Sequence, residues 1–202
     1  MNFLAHLYLS GNNEEIIVGN FIGDYVKGRE YIFYSDEIQK GIMLHRYIDT
    51  FTDSHPVTKQ SRQRVQYEYH KYAGIIIDIF YDYFLACEWK SFHYMELDVY
   101  IQSIFEILKK HYYEFPLGIK NWFPNFLKNN WLLSYSSIEG IENILHRMSS
   151  RTSLPENTRY AIEILRQDEE ALRKEFYEFF DSIRAHILQE HGIITGLELV
   201  GN

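Results

Sequence analysis

Apolar residues recur three and four positions apart along nearly the whole chain, in "EEIIVGNFIGDYV", "EIQKGIMLHRYIDTF", "AGIIIDIFYDYFLA", "LDVYIQSIFEILKKHY" and "NTRYAIEILRQDEEALRKEFYEFFDSIRAHILQ". That period lays an apolar stripe along a helix, whereas a half-buried strand needs strict alternation, which no segment sustains. The spacing predicts an all-α chain, a single-domain helical bundle over residues 1–202 with a long final helix at about 155–190. Asn13, followed by Glu14 and Glu15, predicts a helix start: its carboxamide caps free amides, and the two acids suit the positive end of the helix dipole. Pro56, Pro116, Pro124 and Pro155 mark later boundaries. No internal repeat or flexible linker interrupts the pattern, and the tail "GIITGLELVGN" is expected to be a loosely attached end.

At 202 residues and 46% hydrophobic content, one ample core is within reach. The net charge of -8 argues against a general nucleic-acid binder, whose affinity comes largely from neutralising phosphates. Cys87 is the one cysteine, so no intrachain disulfide forms, and its neighbours in "YFLACEW" predict a buried free thiol in a reducing cytoplasm. The opening "MNFLAHLYLS" has no basic leader and no small-residue cleavage site, and no later segment stays apolar long enough to span a bilayer. A soluble, unprocessed cytoplasmic protein with no membrane partner is therefore expected.

Residues 41–56, "GIMLHRYIDTFTDSHP", load an amphipathic helix with groups that a core does not need. On a helix His45, Asp49 and Asp53 stand one turn above each other, with about 5–6 Å between successive Cβ atoms. Asp78 and Asp82 form a second ladder in "IIIDIFYDYFLA", so apolar that both are expected at or near the core. An isolated carboxylate is costly there, and a cation relieves the cost. Asp24 lies in "GNFIGDYVKG", where Gly19 and Gly23 let another helix come close, and His6 lies on the apolar N-terminal segment. Taken singly, His6 reads as a hydrogen-bonded core histidine, Asp24 as a cap or a partner of Lys27, and Asp53 as a turn cap. Taken together, these acids and an imidazole suit a divalent cation such as Mn2+ or Mg2+. Cysteine pairs, a Walker loop, a Rossmann fingerprint and an HExxH run are all missing from the sequence. Asp24, His45, Asp49 and Asp78 are the expected core of the metal site, with Asp82, Asp53 and His6 as further ligands or orienting groups. Asp49, His45 and Arg46 are also the expected catalytic residues. Arg46, turned about 100° around the helix from His45, is expected to clamp a phosphate or to make a structural ion pair.

In this order "MNFLAHLYLS", "GNFIGDYVKG", "GIMLHRYIDTFTDSHP" and "DIFYDYFLACEW" resemble the acyl carrier protein phosphodiesterases. The resemblance continues through "WLLSYSSIEGIENILHRMSSRT" and covers most of residues 1–151. It implies an all-helical fold related to the HD-domain phosphohydrolases and dependence on a divalent metal, usually Mn2+. It also implies hydrolytic removal of 4'-phosphopantetheine from a serine of acyl carrier protein. The family reads Asp-His after the second ladder where this chain has Asp82-Tyr83, and Phe where it has Tyr25. The loss of an imidazole at position 83 removes a potential ligand, proton donor or orienting partner, although a tyrosine hydroxyl retains one hydrogen bond.

An acidic carrier protein needs a locally basic surface on an acidic enzyme. Residues 56–71, "PVTKQSRQRVQYEYHK", set Lys59, Arg62, Arg64 and Lys71 against Glu68 alone, and Lys59, Arg62 and Arg64 are the expected docking residues. Three functions fit the sequence: a carrier-protein phosphodiesterase, an HD-like phosphohydrolase of nucleotides or other small phosphodiesters, and a noncatalytic helical carrier-protein binder.

Overall fold

The structure is a computed structural model that describes residues 1–196. It opens with α1 (Phe3–Leu9) and α2 (Glu14–Ile22). Asn13 caps α2 as its position predicts, its Oδ1 accepting from the N–H of Glu15 at 3.0 Å and of Ile16 at 3.2 Å. Ser35 caps α3 (Asp36–Ser54), and Pro56 opens α4 (Pro56–Gln63), where its missing N–H costs nothing. Next come α5 (Gln66–Tyr69), α6 (Ala73–Cys87), α7 (Leu97–Lys110), α8 (Leu117–Lys120), α9 (Phe123–Lys128) and α10 (Ile138–Ser149). The chain is all-α, with no strand among the described residues.

The final helical segment departs from expectation. It is two helices, α11 (Thr158–Gln167) and α12 (Glu169–His191), parted at Asp168. The backbone there leaves helical geometry (φ -106°, ψ 17°), and the Asp168 carboxylate sits 3.1 Å from Arg64 Nε, a contact that lies outside the helix's own periodicity.

α1 is apolar around its circumference, and such a helix must be buried. Leu4 to Leu9 all are, with α2 and α6 packed against them. α6 and α12 interlock through Tyr81, Phe84, Phe176 and Phe179, and a second aromatic group joins Phe21 to Phe115, Phe123 and Phe126. Glycine sets how closely α2 and α3 meet. A Cβ on Gly19 would lie 2.1 Å from the Ile38 carbonyl oxygen, and one on Gly23 would lie 2.4 Å from the His45 ring. Only a residue without a side chain lets α3 bring His45 this near.

Two other expectations change. Cys87 is exposed rather than buried, because it falls on the last turn of α6. Of the expected loose tail, residues 197–202 lie outside the described residues, but the described part is anchored: Thr195 is buried and accepts from Arg184 Nε through its hydroxyl at 3.2 Å. No helix among the described residues is long and apolar enough to cross a membrane.

Candidate functional site

α1, α2 and α3 each send a polar side chain to one point. α1 supplies His6, α3 supplies His45 and Asp49, and α2 supplies Asn20, which is fully buried. One ligand atom each from His6, His45 and Asp49 lies within 4.8 Å of the other two. The imidazoles stack with centroids 4.2 Å apart. His6 Nδ1 is 2.8 Å from Asn20 Oδ1, and His45 Nδ1 is 2.8 Å from the Asn20 backbone oxygen. Both oxygens only accept, so each Nδ1 carries the hydrogen and each Nε2 turns the other way. Asn20 is itself held, its Nδ2 donating to the His6 carbonyl at 2.9 Å and to Ser10 Oγ at 2.8 Å.

The Nε2 atoms face carboxylates. His6 Nε2 is 3.2 Å from Asp49 Oδ1, and His45 Nε2 is 3.3 Å from both Asp24 Oδ1 and Asp49 Oδ2. His45 Nε2 is buried and has no partner in hydrogen-bonding geometry, although two acids stand beside it. Burial opposes a charge on His45, but Asp24 and Asp49 overcome it and push its pKa up to about 9. Burial also favours a neutral Asp49, yet His45 and His6 hold it well below the usual carboxylate range. His45 likewise lowers Asp24, while burial lowers His6. Two imidazole Nε2 atoms with their far sides fixed, that of His45 buried and without a hydrogen-bond partner, and two carboxylates form a donor set that fits a divalent cation.

A cavity of about 700 Å³ opens over this cluster, and Asp78, Arg62, His70 and Lys71 join its wall. His70 has left-handed backbone (φ 46°), which a non-glycine residue adopts only when its surroundings hold it there. The structure thus brings together His6, Asp24, His45 and Asp49 and sets Asp78 on the same wall, 3.0 Å from the Met1 amino group.

The remaining sequence candidates lie outside the cluster, although Asp53 and Arg62 reach the cavity wall. Asp82 is fully buried, but its oxygens accept from the backbone N–H groups of Asn2 at 3.1 Å and Leu4 at 2.8 Å, so it caps α1 from a distance. Asp53, one turn beyond Asp49, turns out of the cluster to pair with Arg62. Arg46 is a structural anchor: its Nη2 donates to the Val26 and Gly28 carbonyls, both at 2.9 Å, and it lies over the Tyr31 ring. Tyr83 packs on Phe84 and is no part of the cavity wall, so the missing imidazole leaves the His–Asp cluster untouched. Of the expected docking residues, Lys59 is exposed and Arg62 lines the cavity. Arg64 is largely buried in a two-pronged pair with Glu175, both contacts at 2.7 Å, because α12 packs on α4. Sequence reasoning missed Asn20; its one signal was a carboxamide inside the apolar run "IIVGNFI".

Fold and site together define an all-helical protein with paired histidines and carboxylates beneath an open, partly cationic cavity. The family model described as acyl carrier protein phosphodiesterase matches residues 1–183, and the chain belongs to that family. A Pectobacterium atrosepticum protein named acyl carrier protein phosphodiesterase is 34% identical over 152 residues, covering 75% of this chain and 79% of its own. Proteins of the same name from Salmonella paratyphi A and Escherichia coli O139:H28 are 27% and 29% identical over 186 and 190 residues. In both cases the match covers 92% of this chain and 96% of the relative. No solved structure matches the chain.

Proposed function

We propose that this chain is a metal-dependent phosphodiesterase that removes 4'-phosphopantetheine from holo-acyl carrier protein and leaves the apo-carrier. The convergence of His6, His45 and Asp49, with Asn20 turning both Nε2 atoms toward a cavity, carries the reading in a chain of this family. His6, His45, Asp49 and Asp24 would hold the cation, and mixed imidazole and carboxylate donors favour Mn2+ over Mg2+. When bound, it neutralises charge on the phosphoryl oxygens and acidifies water. Arg62 and Lys71, on the wall of the same cavity, draw the phosphodiester in, and Asp53 holds the Arg62 guanidinium. Water adds its oxygen to phosphorus and the serine Oγ–phosphorus bond breaks; one proton of the water passes to the serine oxygen, and 4'-phosphopantetheine leaves as a phosphate monoester that keeps or releases the other.

One observation favours a small phosphodiester as substrate instead: Arg64 is tied to Glu175, so the expected basic docking face loses a charge. A single experiment separates the readings. Purified protein is incubated with Mn2+ and holo-carrier protein, and the carrier's intact mass is followed. The mass of phosphopantetheine should be lost, and Asp49→Ala should abolish the loss while keeping the helical spectrum. Hydrolysis of small diesters with no change in the carrier would support the second reading and overturn the first.

A further inference from the structure

A second cavity, of about 290 Å³, adjoins the first and shares Asn2, Phe3, Tyr25 and Met148 with it. The first is lined by titratable groups; the second is walled by Trp122, Trp131, Tyr135 and Ile144, with Arg147 and Arg151 beside them. The wall is built rather than incidental. Trp122 and Trp131 stack with rings 5.7 Å apart and 3° from parallel, and Trp122 Nε1 donates to the Tyr25 hydroxyl at 3.0 Å. Tyr25 in turn lies so close over Gly118 that a Cβ there would meet its ring at 2.8 Å. Arg147 is held over the Trp131 ring, its Cζ 4.8 Å from the centroid, and its charged neighbour Arg151 has the same sign.

Aromatic walls with guanidinium donors at the side suit a narrow chain that alternates methyl-bearing carbon with carbonyl and hydroxyl oxygens. The pantetheine arm is such a chain, with a dimethyl carbon, one free hydroxyl when its end is esterified, two amides and a terminal thiol. On the reading of the first cavity as the phosphodiester site, we propose that the second cavity holds the pantetheine arm of the substrate. The indoles and Ile144 take its apolar length, and Arg147 donates to its oxygens. This pocket then distinguishes a phosphopantetheinylated carrier from any diester that lacks the arm.

Pantetheine itself, which has no phosphate, tests the assignment by saturation-transfer NMR. Wild-type protein should transfer saturation to the pantetheine methyl groups, and Ile144→Trp, which fills the cavity, should not. Ile144→Trp should raise the KM for holo-carrier protein by about tenfold or more. Arg147→Met, which keeps the stem on Trp131 and needs no refitting of the core, should weaken pantetheine binding by about tenfold. It decides the matter if Ile144→Trp loses its helical spectrum. Absence of pantetheine binding to the wild type, or binding unchanged in the folded variants, overturns the subsite even if the carrier is hydrolysed. Pantetheine binding that Arg147→Met weakens, in a protein that leaves holo-carrier intact, upholds the subsite and overturns the activity.

Discussion

Asn20 has no charge, yet it decides which nitrogen of His6 and of His45 faces the cavity. Its two oxygens take both Nδ1 hydrogens, and its amide group is locked onto the His6 carbonyl and Ser10. Groups that orient a metal-binding histidine typically contribute about 10- to 100-fold in metal affinity. Asn20→Ala should therefore weaken Mn2+ binding by about that factor with the helical spectrum retained, as read by competition with a chelating dye. The proton on His45 sets a second expectation. Because Asp24 and Asp49 lift its pKa to about 9, a cation held there as proposed would have to displace that proton at neutral pH. Mn2+ affinity should rise with pH, by about tenfold per unit, until about pH 9. Calorimetry in two buffers of different protonation heat should show about one proton released per ion bound.

Arg64 shows why a helix's charges need the rest of the fold to be understood. From sequence it belongs to a basic stripe on α4 and the residues after it. In the structure its guanidinium grips Glu175 of α12 and reaches Asp168 at the α11–α12 break, with only 18% of the Arg64 side chain and 8% of the Glu175 side chain exposed. Glu175 also accepts from Ser61 at 2.5 Å and Gln60 at 2.8 Å, so the pair is a joint between helices. Removing one partner of a buried pair leaves an uncompensated charge, at a cost of about 3–5 kcal/mol. Arg64→Met should lower stability in urea by that order, and Arg64→Met with Glu175→Met should restore most of it. A double mutant that is no more stable than Arg64→Met would show that the joint is not an ion pair at heart.

At the scale of the whole molecule, Asp82 ties the chain's beginning to its middle. Its oxygens accept from the backbone N–H groups of Asn2, Leu4 and Ala5, across 77 to 80 residues of sequence, and so fix α1 and with it His6. Burial pushes the Asp82 pKa up to about 7, while the Met1 amino group and these amides pull the other way. The folded value lies above the ordinary aspartate value of 3.8, so between about pH 4 and 7 the folded state binds more protons than the unfolded. This carboxyl's contribution to stability is therefore present at acid pH and falls as pH rises through that window. Asp82→Asn does not titrate. The stability of wild type relative to Asp82→Asn, from urea unfolding at several pH values, should decrease from pH 4 to 7 and level off above it.

Local chemistry determined much of this protein. Apolar spacing set the helices, Asn13, Ser35 and Pro56 set their starts, and four-residue spacing placed His45 directly below Asp49. These features depend on neighbours within a turn or two, and a sequence states such neighbours outright. Tertiary structure decided which acids share a point. Asp24 and Asp49 converge with two histidines, Asp53 turns to Arg62, and Asp82 becomes a cap, although all four looked alike in an apolar helical sequence. It also broke the last helix at Asp168, buried Arg64 and built the indole-walled cavity from segments that the chain places far from residue 3. A carboxylate's role follows from the donor or cation it meets, and those partners arrive across tens of residues through helix packing, which periodicity does not encode.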